Sequence, residues 1–402
     1  MVVGFFLSSE SSGGGYNQNL SFLSMFKDNK FENYQIKIFT DNYNLSKFLK
    51  SNNIEFIYFN KNFFNLFIFK LFNFLFIKKI FIKLNIKNPF LKLLTLHNVD
   101  LIIFNSPSYY VNYCDEINYV SSIWNTEVRT FNNFREFVGH NFNYQDNLIK
   151  KIIKEAFKIF VFSNENKIDL IKYYSCDENK IVTQSLIPYL PKLYEQKKNL
   201  IDFEALFSKL GLSRDKKWIF YPAQFWSHKN HKYVIDAIQF LNGPTCSNVN
   251  FVFTGNDKGN LNYIKKIINK KNLNNRFKIF GYLSDEEVIS IYKNCFAVSI
   301  PTYVGRSSLP LLESLFFKKT IFYSEKILDI DFYDKVIGIN LKDPEDLSNK
   351  IHKYCSDVNL QNKEQNNLRD FYYNICSEKK MIENYLNVIN EYNYISLRWQ
   401  DK

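Results

Sequence analysis

Cysteine is scarce in this chain, and its distribution excludes several classes of site. The 402 residues contain six cysteines, with no C-x-x-C pair and no histidine at a zinc-ligand spacing. Isolated thiols of this kind are typical of reduced proteins, so we expect free cysteines and a cytoplasmic location. His228 and His231 with Asp236 do not form a three-ligand set, so we expect no bound metal. The cysteines are Cys114, Cys176, Cys246, Cys295, Cys355 and Cys376.

A long uncharged apolar run is also missing. The N-terminal stretch MVVGFFLSSESSGGG has no basic residue before its short apolar segment, which excludes a signal peptide and predicts a first strand. The most apolar region, residues 62–96, is interrupted by Lys70, Asn65 and Asn73. Because a spanning helix needs about twenty largely uncharged residues, we expect no transmembrane segment there.

Residues 62–96 leave two interpretations open. One is a buried helix whose lysines extend their charged ends to water. The other is a basic apolar helix that lies on an anionic membrane surface. We favour the second because the region has six lysines among its Phe and Leu residues. A helix at a membrane interface requires lysines beside exposed apolar side chains. It predicts a peripheral protein on the inner face of the cytoplasmic membrane.

Acidic residues are outnumbered, and the chain has a formal net charge of +12. The heavy use of Phe, Asn, Lys, Ile and Tyr is typical of AT-rich coding, which itself inflates lysine. Nucleic acid, a membrane surface and an anionic nucleotide all suit a basic chain. The sequence has no arginine-rich run with interleaved aromatics and no helix-turn-helix or RNP-like motif. We therefore expect no nucleic-acid partner.

The order of the apolar runs predicts an α/β protein of two domains. Strand-length apolar runs alternate with helical segments along the whole chain, as in a parallel sheet. Pro188 and Pro191, followed by polar residues, mark a boundary. We predict domains over 1–190 and 191–378 and a last helix over 379–402. The predicted strands are 2–7, 35–39, 54–59, 101–104, 119–123, 159–163, 180–183, 218–221, 249–253, 277–280, 296–300, 320–323 and 336–339.

Residues 296–324 have the pattern of a strand, a loop, a helix and a second strand. Gly305 in the loop can take a positive φ, and Ser308 is a good N-cap for a helix with proline in its first turn. A loop that leads into a helix N-terminus presents unpaired N–H groups, which suit a phosphate. Glu313, about one turn into the helix, is placed to accept hydrogen bonds from ribose. The alternative is an ordinary β-loop-α unit with Glu313 on a solvated face.

Two other loops lie between a strand and a helix. In residues 223–230, Lys229 adds a point charge to the N–H donors of a helix N-terminus, which suits a diphosphate. Taken alone, a lysine at this position is more often a solvated one. The glycine-rich loop with Gly14 and Gly15 follows the first strand, where doubly wound folds approach a ligand. It is not a G-x-G-x-x-G fingerprint.

The sequence PTYVGRSSLPLLES, residues 301–314, resembles the donor-site signature of the retaining GT-B glycosyltransferases of family 4 (glycosyl transferases group 1). It is especially similar to members that read PTYVGPTNLPPLEA. Many members carry two glutamates separated by seven residues. Glu313 matches the second, and Gly305 takes the place of the first, as a glycine also does in the closer members. The sugar contact of that first glutamate is therefore left unassigned.

Other parts of the family's pattern are kept with changes. In residues 223–230, Lys229 matches the lysine of G-R-L-x-x-x-K-G, whereas Gln224 replaces the arginine, whose charge Arg306 is placed to supply. Tyr282 follows a strand and resembles the segment that packs near the nucleotide base.

The region 124–136 resembles a W-D-L-x-H-R pattern followed by F-P-E. Trp124, Arg129 and Glu136 are kept, but Asn125 replaces the aspartate and Val128 the histidine. The role that this histidine has in related proteins therefore cannot be assigned to Val128. Arg129 is read either as a contact to donor or acceptor or as a surface arginine.

The resemblance implies two Rossmann-like domains facing each other across a cleft, with the C-terminal helix crossing back to the first. It implies a retaining, hexosyltransferase-type enzyme that moves a sugar from a nucleoside-diphosphate sugar to a growing cell-surface glycan or lipid-linked acceptor, without a cofactor. The candidate catalytic residues are Lys229 and Glu313. The other candidate donor contacts are Gly14, Gly15, Gln224, Gly255, Tyr282, Gly305, Arg306, Ser307, Ser308 and Leu309. The alternative is a catalytically weakened GT-B protein that acts as a binding or scaffolding partner, which the changes at Gln224 and Val128 motivate.

Overall fold

The structure, a computed structural model, describes residues 1–8, 13–23, 31, 33–131, 133–306 and 308–400. Its internal contacts divide the chain into two units. The first comprises Met1–Thr126, Asn143–Gln184 and Glu378–Lys402, and the second comprises Glu127–Phe142 and Ser185–Ser377. Residues 127–142 therefore pack with the second unit although they lie early in the chain. The domain bounds given by the sequence analysis stay a prediction.

The first unit contains a seven-stranded parallel sheet. Its order is β3-β2-β1-β4-β5-β6-β7. The side chains of the two central strands are almost entirely buried, as expected for a parallel sheet that helices cover on both faces. The strands are β1 (Val2–Leu7), β2 (Gln35–Thr40), β3 (Ile57–Tyr58), β4 (Leu101–Phe104), β5 (Asn118–Ser122), β6 (Ile159–Val161) and β7 (Ile181–Thr183).

Helices connect these strands, and several begin at an asparagine. The side chain of Asn42 accepts a hydrogen bond from the backbone N–H of Leu45 at 2.9 Å, which satisfies a donor that the helix leaves unpaired. The helices are α1 (Gly14–Leu23), α2 (Tyr43–Ser51), α3 (Phe63–Phe72), α4 (Leu75–Lys83), α5 (Pro89–Leu96), α6 (His140–Glu155) and α7 (Asn164–Tyr174).

The prediction of one helix over residues 62–96 is wrong, because the structure forms α3, α4 and α5 there. Asparagines explain the breaks. Asn62 and Asn88 cap α3 and α5, and Asn85 takes a left-handed φ of 54° that ends the chain's helical path after α4. Phe69, Phe72 and most of the apolar face of α5 are buried, while the rest of α3 and α4 exposes apolar side chains. Part of the region is therefore buried as in the first interpretation, and contact of the exposed part with a membrane stays a prediction.

The second unit contains a six-stranded parallel sheet in the order β10-β9-β8-β11-β12-β13. The strands are β8 (Lys217–Pro222), β9 (Val249–Thr254), β10 (Phe277–Phe280), β11 (Ala297–Ile300), β12 (Thr320–Ser324) and β13 (Ile337–Ile339). The α/β class with two Rossmann-like sheets is thus confirmed, and the thirteen strands of the described residues overlap predicted ones.

The helices of the second unit lie between and after these strands. They are α8 (Tyr189–Lys197), α9 (Phe203–Lys209), α10 (His231–Ala237), α11 (Leu261–Lys270), α12 (Asp285–Asn294), α13 (Leu309–Phe316), α14 (Pro344–Ser356), α15 (Val358–Gln365) and α16 (Leu368–Ile375). The last helix, α17 (Glu378–Gln400), belongs to the first unit.

The strand order places a ligand-binding position in the second sheet. The chain leaves β8 to form β9 and β10 on one side, and later returns to form β11 beside β8 on the other. Loops that leave two such neighbouring strands at their carboxyl ends diverge and leave a crevice. In this unit those loops are residues 223–230 after β8 and residues 301–308 after β11.

Two predictions from composition can be compared with the structure. All six cysteines are buried and free, as expected. Among the helices of the described residues, none combines the length and the apolar character that crossing a membrane requires.

Candidate functional site

Three stretches of the second unit meet at the carboxyl ends of β8 and β11. They are the 127–142 segment, the 223–230 loop and the 301–308 loop. The backbone oxygen of His228 accepts hydrogen bonds from the N–H of Tyr303 at 2.9 Å and the hydroxyl of Thr302 at 3.3 Å. These bonds hold the two loops together. The 127–142 segment is bonded to each loop by a glutamate.

The 301–308 loop leads into α13 as predicted. Ser308 occupies the N-cap position, but its side chain makes no capping hydrogen bond. Pro310 lies in the first turn, and Leu309 is buried at the start of the helix. The first turn of α13 is thus left without a side-chain cap, which favours an external anion. The predicted contact Ser307 lies outside the described residues.

Gly305 adopts a φ of 100°, which a residue with a side chain rarely takes. A Cβ built there would lie 3.8 Å from the Nζ of Lys229. The glutamate that many family members carry at this place would therefore strain the backbone and point at Lys229. This explains why glycine, and not the usual glutamate, fits this loop.

Glu127 is a residue of this candidate site that the sequence analysis did not single out. It is 0% exposed, and its Oε1 accepts a hydrogen bond from the backbone N–H of Gly305 at 2.9 Å. Burial raises the pKa of this carboxyl, while the Gly305 N–H and the Arg306 guanidinium act to lower it. Its Oε2 is buried and has no hydrogen-bond partner in the described part of the chain. The only signal in the sequence was its place two residues before Arg129.

The ammonium of Lys229 interacts electrostatically with the same carboxylate. Burial lowers the pKa of its ammonium to about 8, while the charges of Glu127 and Glu136 act in the opposite direction. The residue keeps partial solvent exposure, as do Gly305 and Arg306. Lys229 and Arg306, the two cations expected at the diphosphate, are therefore both brought close to Gly305.

Glu136 ties the 127–142 segment to the 223–230 loop. Its Oε1 accepts from the backbone N–H of His228 at 2.9 Å and lies 2.6 Å from the ring Nδ1 of the same residue. Burial lowers the pKa of His228 to about 4, so the ring is neutral at pH 7 and donates Nδ1–H to Glu136. Within the described residues no group of three metal-ligating side chains occurs.

Glu313 is buried on α13 and does not lie on a solvated face. Its Oε2 accepts a hydrogen bond from the hydroxyl of Tyr292 in α12 at 2.7 Å. Burial raises the pKa of Glu313 to about 7, with a further contribution from the charge of Asp285. One carboxylate oxygen is thus held by Tyr292.

The remaining predicted contacts of the second unit lie at neighbouring strand ends. Gln224 accepts a hydrogen bond from the indole N–H of Trp226 at 3.1 Å. Gly255 packs so closely on Ala223 that a Cβ would lie 2.6 Å from the Ala223 oxygen, and its N–H is donated to Gly281. Its role is therefore to let two strand ends approach. Tyr282, after β10, is exposed.

Four other residues that the sequence analysis discussed are not among the loop contacts described above. Gly14 and Gly15 form the first turn of α1 in the first unit. Val128, where relatives carry a histidine, is 0% exposed, so an apolar side chain fills that position. The guanidinium of Arg129 lies 5.9 Å from the ring centre of Phe142.

Comparison with known proteins gives related folds at low sequence identity. A glycosyltransferase from Rickettsia africae ESF-5 has a TM-score of 0.70 at 19% identity, covering 97% of this chain and 98% of that one. HepE from Anabaena, solved in complex with UDP-glucose, has a TM-score of 0.70 at 13% identity, covering 100% of both chains. WaaG, a glycosyltransferase involved in lipopolysaccharide biosynthesis, has a TM-score of 0.67 at 12% identity, covering 95% and 99%. At these identities the comparison shows the fold.

Sequence comparison adds one family. No curated protein sequence matches this chain. The model of the family described as Glycosyl transferases group 1 matches residues 202–371, which lie within the second unit and include Lys229, Arg306 and Glu313. The second unit of this chain therefore carries the sequence pattern of Glycosyl transferases group 1 on the fold of solved glycosyltransferases.

Proposed function

We propose that this chain is a retaining glycosyltransferase of the hexosyltransferase type. It takes a sugar from a nucleoside-diphosphate sugar and transfers it to a growing cell-surface glycan or lipid-linked acceptor, such as that of lipopolysaccharide. The observation that carries the proposal is that Lys229, Arg306 and the uncapped N-terminus of α13 lie around one loop, with Glu313 buried about one turn along that helix. The family match over residues 202–371 supports it.

The cluster has the chemistry that departure of a nucleoside diphosphate requires. When the bond between sugar and phosphate breaks, negative charge develops on the leaving phosphate. Lys229, Arg306 and the N–H groups that begin α13 are fixed donors, and they stabilise that charge more than the ground state. Glu313 holds the ribose through the oxygen that Tyr292 does not occupy, and it thereby positions the phosphates.

Turnover of nucleotide sugars tests the proposal. Purified protein should release nucleoside diphosphate from one member of a panel of nucleotide sugars when a membrane extract supplies the acceptor. NMR of the product should show the anomeric configuration of the donor. Lys229→Ala serves as the inactive control. If no member of the panel binds or is turned over, the chain is not such an enzyme.

One observation favours a second candidate, a weakened enzyme that acts as a binding partner. Val128 is fully buried where the family resemblance gives a histidine, so this chain presents no imidazole to a sugar from this position. Binding of a nucleotide sugar without release of diphosphate under any acceptor condition would support this candidate over the first.

We also propose that α3 and α4 hold the protein on an anionic membrane surface, where a lipid-linked acceptor is found. Phe63 and Phe76 are 85% and 75% exposed. Exposed lysines on the same helices include Lys70, Lys79 and Lys83. Exposed aromatic rings beside lysines match a surface of acyl chains and anionic headgroups.

The lysines of α3 and α4 differ in whether they already form an ion pair within the protein. The Nζ of Lys78 lies 2.7 Å from the carboxylate of Asp115, so its charge is already balanced. Lys79 and Lys83 form no ion pair within the described residues. Lys79→Glu with Lys83→Glu should weaken partition onto vesicles containing phosphatidylserine by roughly thirty-fold or more, because each lysine near the surface contributes about 1 kcal/mol. Sedimentation with vesicles measures this.

Charge-matched controls separate this surface from net charge. Lys342→Glu with Lys353→Glu makes the same change of charge at exposed positions of the second unit, and partition should then change little. Phe63→Ser with Phe76→Ser should weaken partition at constant charge. Equal partition of the parent and both sets of α3 and α4 variants would place no membrane contact at this surface.

A further inference from the structure

The groups expected to bind a diphosphate already surround an anion that belongs to the protein. The backbone N–H of Gly305 donates to the carboxylate of Glu127, and the charges of Arg306 and Lys229 interact with that carboxylate. We call these three contributors, the Gly305 N–H, Arg306 and Lys229, the cradle. A carboxylate and a phosphate oxygen satisfy such donors in the same way.

The carboxylate of Glu127 and the residues of the cradle differ in their exposure to solvent. Glu127 is 0% exposed, whereas Gly305, Arg306 and Lys229 keep partial exposure. A diphosphate therefore approaches the cations from the solvent side while Glu127 lies behind them. The backbone N–H groups of Glu127 and Arg306 also act to lower the pKa of this carboxyl, but its Oε2 is buried without a hydrogen-bond partner among the described residues.

We propose that Glu127 is the built-in counter-charge of the cradle, and that it takes up one proton from solvent when a diphosphate binds. The proposal rests on the proposed function, since it names how the same site accepts its ligand. Two anions held by the same half-buried cations repel each other, and protonation of the inner one removes that repulsion. The ligand's charge then replaces the charge of Glu127 on Lys229 and Arg306.

The groups around Glu127 leave few other acceptors for this proton. The hydroxyl of Tyr323 donates to the backbone oxygens of Gly305 and Arg306 at 3.3 and 3.2 Å, and burial raises its pKa, so it stays neutral. Burial lowers the pKa of His228 to about 4, so its ring stays neutral and donates Nδ1–H to Glu136. Lys229, with a pKa of about 8, also gains protons when an anion arrives. The experiment must therefore separate Lys229 from Glu127.

Inorganic pyrophosphate is the probe, since it has no ribose and does not involve Glu313. Lys229→Arg fixes the positive charge of residue 229, because a guanidinium does not lose its proton at working pH. Titration calorimetry at pH 7 in buffers of different ionisation enthalpy gives the protons taken up by Lys229→Arg, with and without Glu127→Gln. The ionisation of pyrophosphate contributes equally to both. Thermal unfolding confirms that each variant folds.

We expect Lys229→Arg to take up close to one more proton per pyrophosphate than the double variant. Its affinity should also fall with rising pH, by up to about tenfold per pH unit relative to the double variant. Equal proton numbers, or parallel pH profiles, would overturn the proposal even if nucleotide sugars are turned over. Absence of pyrophosphate binding in the parent would also overturn it, because the cradle would then bind no external anion. The proposed function fails on a different result, the absence of nucleotide-sugar binding and turnover.

Discussion

Lys229→Ala is expected to weaken binding of a nucleoside diphosphate by roughly ten-fold to more than a hundred-fold. A hydrogen bond to a charged group commonly contributes about 1.5–3 kcal/mol, and that range converts to these factors. The effect should be large here because Lys229 is held beside Gly305 and Glu127 before the ligand arrives, so little side-chain ordering is needed on binding. Calorimetric titration of parent and variant gives the two affinities.

Two controls show whether the loss of affinity in Lys229→Ala comes from a phosphate contact. Binding of the bare nucleoside should change little, since it has no phosphate for the ammonium to meet. Lys232→Ala removes an exposed lysine three residues on, which is paired with Asp236, and should leave nucleoside diphosphate binding unchanged. If Lys229→Ala binds the diphosphate like the parent, Lys229 is not a phosphate contact.

Glu313→Gln is expected to weaken binding of the nucleoside and the nucleoside diphosphate alike, by roughly ten-fold or more at pH 8. Ribose is common to both ligands, and an ionised carboxylate is a stronger acceptor than an amide. Glutamine still offers Tyr292 an acceptor, so the variant avoids the unpaired buried hydroxyl that alanine would leave. Titration with the nucleoside measures the effect without any contribution from the phosphate cradle.

The pH dependence of nucleoside binding gives a second measure of Glu313. Its pKa is raised to about 7 by burial, so the ionised fraction increases from pH 6 to pH 8. Nucleoside affinity of the parent should therefore rise by up to about ten-fold over that range, while Glu313→Gln shows no such rise. Glu345→Gln, an exposed change in the first turn of α14, should keep the parent profile. A flat profile in the parent would argue against a ribose contact.

The same raised pKa affects folding stability with a definite sign. The folded state favours protonated Glu313, so its contribution is fully present below the ordinary pKa of 4.5 and is lost as pH rises through about 7. The parent should lose free energy of unfolding between pH 5 and pH 8 that Glu313→Gln does not lose. Urea unfolding at both pH values measures the difference.

Local signals in the sequence were sufficient for the fold and for the two loops that follow β8 and β11. Apolar runs identified each strand, and the order of Gly305, Ser308 and Pro310 identified a loop that leads into a helix. These features depend on residues within a few positions of each other. The strand order then follows from parallel connection rules, which bring the loops after β8 and β11 together.

Features that depend on distant residues were not predicted. Glu127 contacts Gly305 across 178 positions of the chain, and no local pattern indicates that pairing. The burial of Glu313 depends on Tyr292 of another helix. The breaks between α3, α4 and α5 depend on which of several asparagines cap a helix and which take a left-handed φ, as Asn85 does. The first two contacts are decided by tertiary packing, whereas the helix breaks depend on a local choice among several asparagines that the sequence pattern does not distinguish.

The place of the 127–142 segment has a consequence for any attempt to express the second unit as a fragment. A contiguous polypeptide from Ser185 to Ser377 would match the family pattern and contain Lys229, Arg306 and Glu313. It would nevertheless lack both glutamates that bond its loops, leaving the N–H groups of His228 and Gly305 without their acceptors. Such a fragment needs residues 127–142 restored, either as an added peptide or through a circularly permuted chain that rejoins them by a linker.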